Sequence, residues 1–165
     1  MIKGLLVYLK DKEFFLEGET LKHFGSINKI KSLKGIKLLH VIDIDLKNGK
    51  MKNFDVYDAL TRFIHVQVET SNINYAKALQ KIHARAVLLP PFHENIIDGH
   101  IIDELDKNFL AIRIENVNDI RMAEKITDIV TENKDVADIV IKDKNKRLFF
   151  IGHYKGSFCN IMKSF

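Results

Sequence analysis

Tryptophan is absent from this chain, cysteine occurs once, proline twice and glycine only eight times. The single cysteine, Cys159, excludes an internal disulfide framework and suits a reducing compartment. So few prolines and glycines argue against a low-complexity or collagen-like chain. No segment approaches the ~18 to 20 consecutive apolar residues of a membrane span. Lys3, Lys10, Asp11 and Lys12 interrupt the N-terminal apolar run that a secretion signal requires. The expectation is a cytoplasmic protein without a membrane partner. Neither G-x-G-x-x-G nor G-x-x-x-x-G-K-[ST] occurs, so the usual dinucleotide and NTP sites lose their main support and no cofactor is expected.

What the chain does have is 165 residues, 46% of them apolar and 29% charged. That is enough to bury one core and too little for two ordinary domains, so residues 1–165 read as a single domain. The net charge of +4 leaves room for a polyanion. Its densest clusters, Lys29, Lys31, Lys34 and Lys37, then Lys142, Lys144, Lys146 and Arg147, read first as solvated faces, with weak nucleic-acid binding as an alternative.

Period and punctuation predict strands over Gly4 to Leu9 and Phe14 to Leu16, joined by a turn at Lys10 to Lys12. A helix over Ile27 to Lys34 stops near Gly35, and a strong strand runs from Leu38 to Asp45. Further along, helices are expected at Asp55 to Phe63, Asn74 to Ile82, Ile96 to Leu105 and Asp119 to Val130. Strands are expected at Ile64 to Val68, Ala86 to Leu89, Phe109 to Ile114, Ala137 to Ile141 and Arg147 to Ile151. The segment His153 to Phe165 has no assignment. Alternating strands and helices call for a parallel sheet with right-handed crossovers. The fold class is therefore α/β, with an open sheet or a barrel as the two architectures.

Within the strands, period-2 alternation places His40, Ile42 and Ile44 on one face and Val41, Asp43 and Asp45 on the other. The same rule groups Gln67 with Glu69, and Arg113 with Glu115. Each strand is polar toward its C-terminal end, which in an α/β barrel is the ligand-bearing rim. Two readings stand: convergence on a ligand site, or solvated strand ends in which Arg113 neutralises nearby carboxylates. Among the seven histidines, His93 and His100 with Glu94 and Asp98 form the densest group of possible metal ligands. Their spacing fits no standard zinc pattern, so no metal site is expected.

The run Leu39-His40-Val41-Ile42-Asp43-Ile44-Asp45, followed by Gly49 and Asn53, resembles the second-strand motif of the phosphoribosylformimino-aminoimidazole-carboxamide ribotide isomerase family of histidine biosynthesis. Val7-Tyr8-Leu9-Lys10-Asp11, with the Phe-rich strand after it, resembles that family's opening hairpin. Val66-Gln67-Val68 resembles the stretch before its glycine-rich turn. The resemblance covers roughly residues 1–152, in order and with deletions. It implies a ribulose-phosphate-binding barrel in which aspartates on the first and fifth strands exchange protons with an aminoaldose.

The departures from that pattern concern the chemistry. Tyr8 occupies the first acid/base position, where a phenol with a pKa near ~10 is a poor proton shuttle near neutrality. Glu115 stands for the second, with Asp43 or Asp45 assisting, and Gln67, Glu69 and Arg113 complete a ligand-binding set. Glu69-Thr70-Ser71 and Pro90-Pro91 replace the family's phosphate-gripping glycine turns, and proline has no N-H to donate. Full barrels of this type run to ~250 residues. The chain is thus expected to hold about six parallel strands in an incomplete or modified barrel. Its open edges would invite homo-oligomers. The expected function is a diverged isomerase homologue without the parent activity, holding a small phosphorylated or sugar-like ligand. A non-enzymatic scaffold that assembles through the sheet edge is the alternative.

Overall fold

The computed structural model describes residues 1–90 and 101–165. Among the described residues, ten strands alternate with short helices. They are β1 (Ile2–Lys10), β2 (Glu13–Leu16), β3 (Lys22–Gly25), α1 (Ile27–Lys31), β4 (Leu38–Asp43), α2 (Ile44–Lys47), α3 (Phe54–Leu60), β5 (His65–Thr70), α4 (Ile73–Lys81), β6 (Arg85–Leu88), β7 (Leu110–Arg113), β8 (Asp128–Thr131), α5 (Lys134–Val140), β9 (Arg147–Ile151) and β10 (Cys159–Met162). Short 3-10 turns at Ile101–Glu104, Lys107–Phe109 and Val117–Ala123 flank β7.

Eight strands, in the order β1, β4, β5, β6, β7, β8, β9, β10, run parallel, and β10 pairs back onto β1. The sheet is a closed barrel. β1 is long enough to serve two partners along one edge. Its first half pairs with β10 from Ile2↔Cys159 to Leu5↔Met162. Its second half, Tyr8 to Lys10, carries the antiparallel β2–β3 hairpin. The hairpin turn puts Asp11 and Lys12 at φ 49° and 65°, the paired left-handed conformation of a tight two-residue hairpin turn, which side chains other than Gly, Asn and Asp rarely adopt.

Closure corrects the expectation of about six open strands, and three segments account for it. Asp119 to Val130 has helix-like spacing of apolar residues, yet only Val117–Ala123 turns, as a 3-10 segment, and Asp128–Thr131 is the fully buried strand β8. A four-residue apolar run carries no period of its own, and pairing to β7 and β9 decides it. Ala137 to Ile141 is not a strand but part of α5, which buries Val136, Ala137 and Val140 and leaves Ile139 exposed. Asn133 caps this helix, accepting from the N-H groups of Asp135 and Val136. The unassigned C-terminal stretch supplies β10. The link from β9 to β10, residues 152–158, holds no helix. Gly152, at φ +120°, turns the chain there, with a Cβ position 3.2 Å from the Phe150 ring. Closing the barrel leaves no open edge among the eight parallel strands.

Strand residues fall into two apolar clusters. Val7, Leu39, Val41, Val68, Leu88 and Ile112 pack with helix residues such as Leu46, Tyr57, Leu60 and Leu79 in an outer layer. Leu6, Leu38, Val87, Ala111, Val130, Phe149 and Ile161 form a separate cluster enclosed by the strands. Gly4 sits where the strands approach closely: a Cβ there would lie 3.1 Å from Leu38 and 3.3 Å from the Cys159 sulfur, so its neighbours would have to give by a few tenths of an ångström. Burial pushes the Cys159 thiol up to about 11, so it packs as a neutral small hydrophobe. Among the described residues, no helix is long and apolar enough to cross a membrane.

Candidate functional site

Alternation along β4 decides which polar residues enter the barrel. Leu39 and Val41 belong to the outer layer, and Asp43 follows them outward. His40 points inward and is fully buried. Its register partner on β5 is Gln67, and two residues on, also inward, is Glu69. His40 joins the two: its Nε2 lies 2.8 Å from Glu69 Oε2 and its Nδ1 2.8 Å from Gln67 Nε2. From β7, Arg113 Nη1 donates to the same Glu69 oxygen at 2.6 Å. A buried carboxylate needs this compensation. Burial alone would raise the Glu69 carboxyl, but the hydrogen bond and charge of His40, together with Arg113, bring it down from 4.5 to about 2.

Above Glu69 the network spreads across the rim. Arg113 Nε donates to Glu115 at 3.0 Å and its Nη2 to Glu132 at 3.3 Å. Burial lowers the Arg113 pKa, but Glu69 and Glu115 more than offset it. Lys163, just past β10, reaches Glu132 at 3.0 Å and Glu17 on the hairpin arm at 3.4 Å. Tyr8 donates to Glu17 at 3.2 Å, and Lys47 stands 3.9 Å from Glu69. Four carboxylates and three cations therefore interlock across the opening. Beside them lies a cleft of about 520 Å³ lined by Lys47, Gly49, Glu69, Asn72 and Tyr75.

The turns after β5 and β8 are closed by local hydrogen bonds. Thr70 and Thr131 each accept from the backbone N-H two residues on, Asn72 and Asn133. Those asparagines in turn cap α4 and α5. The Thr-x-Asn spacing occurs at both places and signals a helix start that sequence reading can use.

Of the residues expected at the site, the structure brings Tyr8, Gln67, Glu69, Arg113 and Glu115 to the inner face or rim. Asp43 and Asp45 lie outside the wall, where each accepts hydrogen bonds from neighbouring elements. Asp43 caps α2 by accepting from Leu46 N at 2.9 Å and also accepts from Tyr57 and Asn53. Burial, the largest influence, leaves its carboxyl raised despite those bonds. Asp45 is lowered although burial opposes it, because Asp11 N, Asn53 and Lys52 surround it. Asn53 donates to both aspartates and accepts from Lys12 N at 3.0 Å. The Asp-x-Asp run with its downstream Asn is thus a clamp that fastens the strained hairpin turn to the barrel.

Sequence reading passes over His40, Glu17, Lys47, Glu132 and Lys163. Alternation places His40 opposite Asp43, and the inner face is the one it occupies. The other four are single charges in loops or at strand ends, with no periodic signal. The His93, Glu94, Asp98 and His100 group lies outside the described residues. Among the described residues, no three His, Cys, Asp or Glu side chains are gathered as metal ligands. In comparisons with known proteins, the chain matches no family model and no curated protein.

Proposed function

We propose that this chain is a shortened, diverged relative of the aminoaldose-ketose isomerases, whose barrel rim holds a sugar-like ligand without performing the parent proton transfer. One observation carries this reading: both candidate proton-transfer groups are already tied up in hydrogen bonds within the rim. Tyr8 donates to Glu17, and burial followed by the Glu17 charge raises its pKa, away from neutrality. Glu115 accepts from Arg113 Nε, from Thr131 Oγ1 at 3.5 Å and from Glu132 N at 3.1 Å. A phenol bonded to a carboxylate is a weak acid, and a carboxylate that already accepts three hydrogen bonds has little lone-pair capacity left for a substrate proton.

The rim favours hydroxyl groups over phosphate. Interlocked carboxylates and cations let vicinal hydroxyls donate to one neighbour and accept from the next. The excess of Glu17, Glu69, Glu115 and Glu132 over Lys47, Arg113 and Lys163 repels a dianion, and the turn after β5 is Ser71-Asn72 rather than glycine-rich.

Two measurements test the two halves of the proposal. In an assay of the aminoaldose-to-aminoketose rearrangement, turnover at the buffer background is expected. Turnover that disappears in Glu115→Gln overturns the loss of the parent reaction. In an amide-resolved NMR titration, ribose is expected to shift Arg113, Glu115 and Thr131 more than ribose 5-phosphate does. Unmoved rim resonances with both sugars overturn the ligand site.

A further inference from the structure

At the opposite end of the barrel, where the strands begin, the inner face is basic and aromatic. Arg85 opens β6, Asp128 opens β8 and Arg147 opens β9. All three side chains meet inside. Asp128, 2% exposed, accepts from Arg85 Nη2 and from Arg147 Nε and Nη2 at 2.6 and 2.8 Å. Each guanidinium has five N-H donors, and Asp128 takes one from Arg85 and two from Arg147. Two cations on one carboxylate leave a formal charge of +1. Arg85 Nε is one of two buried side-chain polar atoms without a hydrogen-bond partner among the described residues.

These arginines border a cavity of about 300 Å³, at the small end of the usual range for ligand sites. Lys37, His65 and His83 add basic groups to its wall, and no Asp or Glu is among the described residues that line it. Apart from Asn108, the remaining wall is apolar. Phe149 is buried and holds Arg85 over its ring at 4.8 Å, while Arg147 lies 4.6 Å from the Phe158 centroid. Stacking of this kind fixes guanidinium planes before any ligand arrives. His83, at φ 61°, leans on Phe109 at 5.9 Å, a left-handed backbone that is uncommon for a residue with a side chain. A stability-only floor in a parallel barrel is expected to be filled and neutral. This one is open and cationic, with the rings of Phe109, Phe149 and Phe158 in its wall.

We infer that the strand-start cavity is a binding site for a small organic anion, one carboxylate or phosphate group joined to a planar apolar body. The anionic group would take the spare N-H donors of Arg147 and Arg85, and the apolar body would lie against Phe149 and Phe158. The site is independent of the rim, so either can fail without the other.

The test is a set of amide-resolved NMR titrations of the whole chain with three probes: benzoate, inorganic phosphate and benzyl alcohol. Benzoate is expected to produce saturable shifts centred on His83, Phe149 and Phe158 and to leave Glu115 and Thr131 at the rim unmoved. Phosphate and benzyl alcohol are each expected to bind roughly tenfold more weakly than benzoate, the loss that follows from removing one class of contact. Arg147→Gln keeps the buried Arg85–Asp128 pair and is expected to weaken benzoate by about tenfold with the spectrum otherwise unchanged. His83→Ala supplies a second variant, expected to weaken benzoate more than it weakens phosphate. The proposal is overturned if no probe shifts the strand-start residues, if benzyl alcohol binds as tightly as benzoate, or if Arg147→Gln leaves the benzoate affinity intact.

Discussion

The two ends of this barrel use the same residue types in opposite proportions. At the rim, carboxylates outnumber cations, and every charge has an opposite neighbour: Arg113 spans Glu69, Glu115 and Glu132, while Lys163 spans Glu17 and Glu132. At the strand starts, two arginines share the single carboxylate of Asp128. Both counts are uneven by one, with a carboxylate in excess at the rim and a guanidinium in excess at the strand starts, so the two ends suit ligands of opposite polarity. In solvent contact the two ends are alike. Glu69 and Asp128 are both buried, while Arg147 and Lys163 keep nearly half of their side-chain surface in water.

The sharpest way to break this comparison is to remove the carboxylate on which the strand-start end depends. Asp128→Ala leaves Arg85 buried without a partner, and breaking a buried pair from one side costs ~3 to 5 kcal/mol. Urea unfolding is expected to show that loss as a lower midpoint. A midpoint within experimental scatter of the parent would mean that the two arginines are not held by Asp128.

Next in size is the pH response of the rim. The Glu69 carboxyl falls from 4.5 to about 2 on folding, so the unfolded chain takes up this proton first as the pH drops. The associated stability is complete above the unfolded pKa and is lost as the pH falls from about 4.5 toward 2. A shift of this size corresponds to on the order of 3 kcal/mol. Stability measured between pH 6 and pH 2.5 should decline, and Glu69→Gln should flatten the decline while lowering stability at pH 6. An unchanged slope in that variant would place the titrating group elsewhere.

Asp43→Ala should cost about 2 kcal/mol, because it deletes a helix cap and leaves Tyr57 and Asn53 donors unpaired in the outer layer. Its effect on ribose-induced shifts at Arg113 and Thr131 should be nil, since Asp43 lies outside the wall. A loss of those shifts without loss of stability would put Asp43 back in the site. The smallest effect belongs to Lys12→Ala, which breaks an exposed pair with Asp55 and should alter stability by less than about 0.5 kcal/mol. A larger change would show that Lys12 holds the hairpin by its side chain rather than by the backbone bond to Asn53.

Much of the rim is readable from period-2 alternation. Gln67 with Glu69, and Arg113 with Glu115, sit as their spacing predicts, because a strand allows only two directions for a side chain. The same rule sorts His40 from Asp43 correctly but cannot say which side faces the barrel axis. The acidic side looks more chemical, and it is the outer one. The inward choice is made by Leu39 and Val41, which pack on the helices and carry Asp43 with them. The strand-start cavity has no such signal, since Arg85, Asp128 and Arg147 open three different strands and are far apart in the chain.

The sequence by itself determined the α/β class, the positions of β1, β4, β5, β6, β7 and β9, and the polar strand ends, because these depend on local period and turn chemistry. Only the tertiary structure decided that the sheet closes on itself through Cys159–Met162, that Asp128–Thr131 extends rather than coils, and which face of each strand is enclosed. Those outcomes depend on pairings between residues as distant as Ile2 and Cys159, and a four-residue segment has too little conformational preference of its own to announce its partner.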